Sequence, residues 1–218
     1  METIPRMADT ADWITILLLS SIVFPVLAKK MFYSRFLNFI ILPFNNKYIF
    51  LYNKKEKLIN WFHIFFTLFQ IINFSLFVFL AGRMLRLTPK PFDFLMYAVI
   101  LGFILGFILL KVILQMGNGF IFGSQRTISE LIFKKLSYLN YTGLIMFVAN
   151  CLLVYVAKES EIVVYVAVLL ILSINIIGWI TLLKNHQKFI ANYFFYFILY
   201  LCALEIAPFI IIGSYLKP

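Results

Sequence analysis

The sequence predicts an all-α, polytopic transmembrane helical bundle of six spans, on three observations. Hydrophobic residues make up 63% of its 218 positions and charged residues only 13%, against roughly a quarter charged in soluble domains. Mean hydropathy is +0.97. Apolar runs near bilayer length recur along the chain, separated by short segments rich in lysine and arginine, and about 20 apolar residues suffice for a helix to cross a hydrocarbon core of about 30 Å. Linkers, low-complexity tracts and internal repeats are not evident, so residues 1–218 read as a single integral membrane domain.

Residues 1–12 set Glu2, Asp9 and Asp12 against Arg6. A secretory signal needs a positive n-region, so this stretch is expected to be a short extracytoplasmic terminus and not a cleaved leader. The first apolar segment, 13–28, is 16 residues long with Pro25 near its end, short for a span and open to a re-entrant reading. Residues 29–60 follow with Lys29, Lys30, Arg35, Lys47, Lys54, Lys55 and Lys57 against Glu56, interleaved with Phe36, Phe39, Tyr48 and Tyr52. That mixture predicts a basic cytoplasmic loop at the headgroup level, where anionic lipid attracts lysine and aromatic rings seat.

The second span, 61–81, has Asn73 near its middle and His63 at its inner edge, and Arg83, Arg86 and Lys90 close it. The third, 94–116, contains Gly102 and Gly106 in GxxxG spacing, which permits close helix packing because two adjacent turns lack side chains. Lys111, near its inner end, is expected to snorkel to the headgroups. Gly117, Gly119 and Gly123 then break the pattern. Thr127 and Glu130 fit a capping box opening an amphipathic helix near 127–141, with Ile128, Leu131, Ile132, Leu136 and Leu139 apolar and Lys134 and Lys135 on the other side. Such a helix is expected on the membrane surface. The Gly-Asn-Gly run lacks the lysine and hydroxyl of a phosphate loop and reads as a turn.

The fourth span, 142–157, is short and extended by the helix before it; the fifth, 162–183, holds Asn175. The sixth, 191–213, has 23 residues and covers about 34 Å, and it carries Glu205 inside the apolar run. Pro208 lacks the N–H that would bond the carbonyl of Leu204, so it marks a helix kink beside the acid.

Lysine and arginine set the orientation. Loops one, three and five carry 12, and the termini with loops two and four carry 6. Both termini of this multi-pass chain are therefore expected outside the cytoplasm. At 1.5 Å per residue, Asn73, Asn150 and Asn175 fall within about 5 Å of the midplane, and Glu205 about 4 to 5 Å to its outer side. Asparagines between helices serve as hydrogen-bonding glue. An ionisable group at that depth is costly and points to a functional site. Glu205, Asn73, Asn150 and Asn175 thus form the candidate intramembrane polar site, for a proton, an ion or a polar headgroup.

The net charge of +10 does not imply nucleic acid here, since on apolar spans it serves topology and anionic lipid. Cys151 and Cys202 lie within spans without metal or redox spacing, and His63 and His186 lack it too. No cofactor or metal is implied, and no nucleophile, base and orienting group assemble into a catalytic site. The expected partners are membrane lipid and other membrane proteins or further copies of the chain.

The run FYFILYLCALEIAPFIII and the stretch NWFHIFFTLFQIINF that opens the second span resemble the domain-of-unknown-function family 4271, integral membrane proteins from Bacteroidota. The likeness runs roughly from the first span to Gly213 and is most specific in LCALEIAP, around Glu205 and Pro208. It implies a cytoplasmic-membrane protein of a Gram-negative envelope and carries no activity, substrate or catalytic residue. The resulting expectation is a non-enzymatic membrane component, either a small transporter or a subunit of an envelope assembly. The alternative is a membrane-embedded enzyme acting on a lipid or polyprenyl substrate.

Overall fold

A computed structural model describes residues 11–45, 47–52, 60–84, 94–121, 125–157 and 160–185, which are helical throughout apart from short connections and contain no strand. The helices are α1 (Ala11–Met31), α2 (Tyr33–Ile40), α3 (Lys47–Tyr52), α4 (Trp61–Met84), α5 (Phe94–Ile121), α6 (Gln125–Cys151) and α7 (Glu161–Asn185), with a π-helical turn, Leu152–Val156, continuing α6. Contacts divide the chain into two compact units, Met1–Gly178 and Trp179–Pro218. The bundle below belongs to the first; in the second, the described part is the last turns of α7. The predicted sixth span, 191–213, with Glu205 and Pro208, lies outside the described residues.

Five helical segments among the described residues are long and apolar enough to cross a membrane: Asp12–Met31, Trp61–Met84, Phe94–Gly117, Ile128–Val156 and Glu161–Thr181. The first is longer than the 13–28 expected. Pro25 sits inside α1 without ending it; Lys29 and Lys30 occupy the last turn, where cations complement the negative end of the helix dipole.

α4 is the central helix: 56% of its most apolar window is buried, against 11% for α5 and 17% for α7. It packs on α6, α1 and α5. Near its C-terminal end, Leu76, Phe77, Phe79 and Leu80 meet Ile14, Leu18, Tyr97, Met146, Ala149, Leu153, Val164 and Ala167. Trp13 stands edge-on to Phe79 and Phe94 at 5.4 and 5.6 Å, a favoured quadrupolar geometry. Near its N-terminal end, Phe62 and Phe66 meet Ala28, Phe39, Leu42, Tyr48, Ile49, Phe133 and Tyr138. α1, α5 and α7 thus run opposite to α4 and α6, with Lys29, Lys30, Arg35 and Lys134 at the end where α4 begins. Between lipid-solvated helices no water is displaced by contact, so close packing and hydrogen bonds, more than the hydrophobic effect, hold such a bundle together.

Two local expectations change. The basic stretch 29–60 was expected as a loop on the headgroups, yet α2 and α3 fold back onto α4 and bury Arg35, Phe39, Tyr48 and Ile49. Phe39 explains why: its ring lies 4.4 Å from that of Phe66 and 5.6 Å from that of Phe62, so the aromatic side of α2 finds rings instead of headgroups. The amphipathic helix expected on the membrane surface near 127–141 is continuous with the fourth span and packs along α4. Its Ile132, Phe133, Lys134, Ser137, Tyr138 and Asn140 are buried. Small and polar groups drive that packing. A Cβ on Gly143 would lie 3.0 Å from Cα and Cβ of Gln70, so any larger residue would push α6 and α4 apart by a few tenths of an ångström.

Candidate functional site

Between the two aromatic-rich ends of α4 runs a polar seam. Thr67, Gln70 and Asn73 recur every three residues, which keeps them on one stripe within about 9 Å along the axis. The matching stripe of α6 is Asn140, Gly143 and Asn150. Thr67 and Asn140 exchange hydrogen bonds in both directions, Oγ1 to Oδ1 at 3.2 Å and Nδ2 to Oγ1 at 3.1 Å. Asn150 Nδ2 donates to the backbone carbonyl of Asn73 at 2.9 Å, and Asn73 Nδ2 donates to the Phe69 carbonyl at 2.9 Å.

The seam is buried and incompletely satisfied. Gln70, Asn73, Asn140 and Asn150 are all fully buried. Among the described residues, neither polar atom of the Gln70 amide has a hydrogen-bond partner, nor does Oδ1 of Asn73 or of Asn150. Each such group left unpaired costs about 1 to 3 kcal/mol. Each such oxygen is an acceptor and the Gln70 N–H2 a donor, the kind of group that pairs with a water, a hydrated proton or a small cation.

The structure brings together two of the four expected polar residues, Asn73 and Asn150. Asn175 is half-buried on α7 and donates to the Ile171 carbonyl of its own helix at 2.8 Å. Glu205 and its neighbour Pro208 lie outside the described residues. Gly102 and Gly106 sit on an exposed face of α5, where an added Cβ would meet nothing within 4 Å among the described residues. Sequence reasoning missed Thr67, Gln70, Asn140 and Gly143. Their signal was the three-residue polar spacing in the second span together with the Asn140–Gly143 pair, which the surface-helix reading had set aside.

A second polar group closes the other end of the interface. Arg35 Nε donates to the Tyr48 hydroxyl at 3.4 Å, and that hydroxyl lies 3.2 Å from Nε2 of His63. The three side chains are at most 3% exposed. The Arg35 guanidinium lies 4.8 Å from the Tyr52 ring and 4.9 Å from the Phe62 ring, and such cation–π contacts contribute about 2 kcal/mol when desolvated. Phe133 of α6 packs on both partners, stacked on Tyr48 and edge-on to His63 at 4.6 Å. Among the described residues, no group of three or more His, Cys, Asp or Glu side chains could hold a metal ion.

Residues 14–216 match the family described as Domain of unknown function (DUF4271). No curated protein and no solved structure matches the chain.

Proposed function

The chain belongs to the DUF4271 family, and from that membership and the buried seam we propose a multi-pass, non-enzymatic component of the bacterial inner membrane that acts as a small transporter. The observation that carries this is the set of unpaired amide atoms on Gln70, Asn73 and Asn150 inside the most buried helix pair. Soluble-protein cores rarely keep such groups, and a membrane interior penalises them further. A small polar passenger or proton held there offsets the cost. Glu205 would supply the ionisable group at nearly the same depth by sequence, about 4 to 5 Å from the midplane, as carboxylates do in proton relays. Both termini would lie outside the cytoplasm, and residues 1–218 would work as one membrane domain.

Complementation of a deletion strain tests it, with Glu205→Gln, Glu205→Ala and Asn73→Leu side by side and membrane abundance measured for each. Glutamine keeps size and hydrogen bonding without titrating. Transport of a proton through this site requires Glu205→Gln to abolish growth rescue at wild-type abundance; full rescue would remove the carboxyl from the mechanism and leave a packing role.

A different observation favours a second reading. The Arg35–Tyr48–His63 chain at the basic end of the bundle has the residue types of an acid–base site, which supports an enzyme acting on a lipid or polyprenyl headgroup. A changed lipid composition in the deletion strain, restored by wild type but not by His63→Gln, would favour it over transport. A subunit of an envelope assembly is the third possibility, supported by the glycine face of α5, and predicts a stoichiometric protein partner on purification in mild detergent.

A further inference from the structure

Away from the seam, the segment that folds back onto α4 presents a surface of its own. On the eight-residue helix α2, Arg35 and Phe39 are buried one turn apart, on the side that meets Phe62 and Phe66 of α4. Tyr33, Leu37 and Ile40 recur at four- and three-residue spacing on the opposite side, and all three are exposed. Ser34 and Asn38 form a narrow polar edge between the two sides, with Asn38 Nδ2 donating to the Ser34 carbonyl at 2.8 Å. The turn after α2 carries the outward side onward. Phe44 and Asn45 both donate backbone N–H groups to the Ile41 carbonyl, at 3.1 and 2.8 Å, and the Phe44 ring on this turn is 91% exposed. On α3, Phe50 is 70% exposed beside buried Tyr48 and Ile49.

Depth and charge select what covers this surface. Phe36 and Phe39 pack against Phe66, which stands five residues inside the apolar segment that begins at Trp61, about 7 to 8 Å along the helix. α2 thus lies level with the first turns of a span, where an outward apolar side meets acyl chains. Lys29 and Lys30 end α1 just before α2, Lys47 opens α3, and all three are exposed. Apolar residues on one side with lysines beside them is the composition of a helix lying in a membrane interface, and lysines at that level attract anionic headgroups. In a two-fold contact through this face, a second copy of the chain would set its own Lys29, Lys30 and Lys47 against these, so charge favours lipid over self-association.

We propose that α2, the turn at Phe44 and α3 form an interfacial hairpin that seats Leu37, Ile40, Phe44 and Phe50 among the acyl chains of an anionic leaflet, with Lys29, Lys30 and Lys47 engaging its phosphate groups. The hairpin is independent of the transport reading, since it shares no residue with the seam. Its polar edge, Ser34 and Asn38, is left to headgroups and water, and the inward rings of Phe39 and Tyr48 tie the lipid-seated surface to α4.

Ser34→Cys, Leu37→Cys, Phe44→Cys and Phe50→Cys are made singly in full-length protein lacking the two native cysteines, spin-labelled, and reconstituted in mixed vesicles of phosphatidylglycerol and phosphatidylcholine. Labels at positions 37, 44 and 50 should collide with oxygen and be shielded from a water-soluble nickel chelate, whereas the label at position 34 should be reached by the chelate. Free access of the chelate to positions 37 and 44 overturns the insertion. Immobilised labels that neither reagent reaches overturn it as well, and give the face to a protein partner. The charge is tested with a fluorophore on Phe44→Cys, which brominated phosphatidylglycerol should quench with about a fivefold preference over brominated phosphatidylcholine, the scale of one lysine near an anionic surface. Lys29→Gln/Lys30→Gln/Lys47→Gln should erase that preference, and Lys29→Arg/Lys30→Arg/Lys47→Arg, which keeps the charges, should retain it. Equal quenching by the two lipids with all three lysines present overturns the anionic leaflet, and a preference that survives in the glutamine variant overturns the part given to the lysines.

Discussion

The side-chain amide of Asn150 reaches the backbone carbonyl of Asn73 at 2.9 Å, joining α6 to α4 across 77 positions of sequence. The acceptor is main chain, so the bond depends on the side chain of only one of the two asparagines. Asn150→Leu deletes it, whereas Asn73→Leu leaves it intact and removes only a bond within α4. Interhelical hydrogen bonds in membrane bundles contribute on average about 0.6 kcal/mol, up to about 1.7. Unfolding in detergent is expected to show Asn150→Leu as the more destabilised of the two, by roughly that margin. Equal losses would mean that the bond does not form.

Glycines on α5 and α6 should respond in opposite ways. Gly143→Ala places a methyl 3.0 Å from backbone and Cβ atoms of Gln70, atoms that cannot move without shifting α4, so a loss of about 1 to 3 kcal/mol is expected from overpacking. Gly102→Ala and Gly106→Ala meet open space among the described residues and should change stability little or raise it slightly through helix propensity. If either α5 variant lowers the apparent oligomer mass at unchanged stability, that face is an assembly surface, as GxxxG spacing allows. Thermal melts with size-exclusion light scattering read both.

Arg35 should not tolerate lysine. Its planar guanidinium lies near the rings of Tyr52 and Phe62 and donates to the Tyr48 hydroxyl through Nε, and a lysine ammonium on a flexible stem reproduces neither arrangement. Arg35→Lys and Tyr48→Phe are each expected to cost about 1 to 3 kcal/mol, because buried polar partners lose their bonds. Protection of the α2–α3 segment against hydrogen exchange should fall in both variants. Wild-type protection in Arg35→Lys would show that α2 is held by its apolar contacts alone.

Orientation can be read at two exposed cations on opposite ends of the bundle, Lys30 at the end of α1 and Arg83 at the end of α4. In a background without the two native cysteines, Lys30→Cys should be protected from a membrane-impermeant maleimide in intact cells, and Arg83→Cys should label. The opposite pattern would invert the bundle and move the basic end to the periplasmic side.

Helix existence was legible because it depends on local quantities. α4 was expected over 61–81 and spans Trp61–Met84; α5 was expected over 94–116 and spans Phe94–Ile121. The extension of α1 through Pro25 was less visible, since a proline near the end of a short apolar run reads equally as a stop or as an interior kink. The segment near 127–141 was read as lying on the membrane because its period separates an apolar from a polar side. That period does not say whether the polar side faces headgroups or another polar helix; Thr67 opposite Asn140 and Gln70 opposite Gly143 make it the latter.

Length and hydropathy by themselves determined the helical class and the apolar segments, because transfer of a 20-residue run into hydrocarbon is a sum over residues that ignores how the helix is rotated about its axis. They also placed Asn73 and Asn150 at one depth, which requires only the rise per residue. Tertiary structure alone decided that these two meet while Asn175 bonds its own helix, that Gln70 is buried opposite a glycine, and that Arg35, Tyr48 and His63 converge from three helices. Those facts depend on the rotation and separation of neighbouring helices, which are set by close contacts such as Gly143 against Gln70, between residues far apart in the chain.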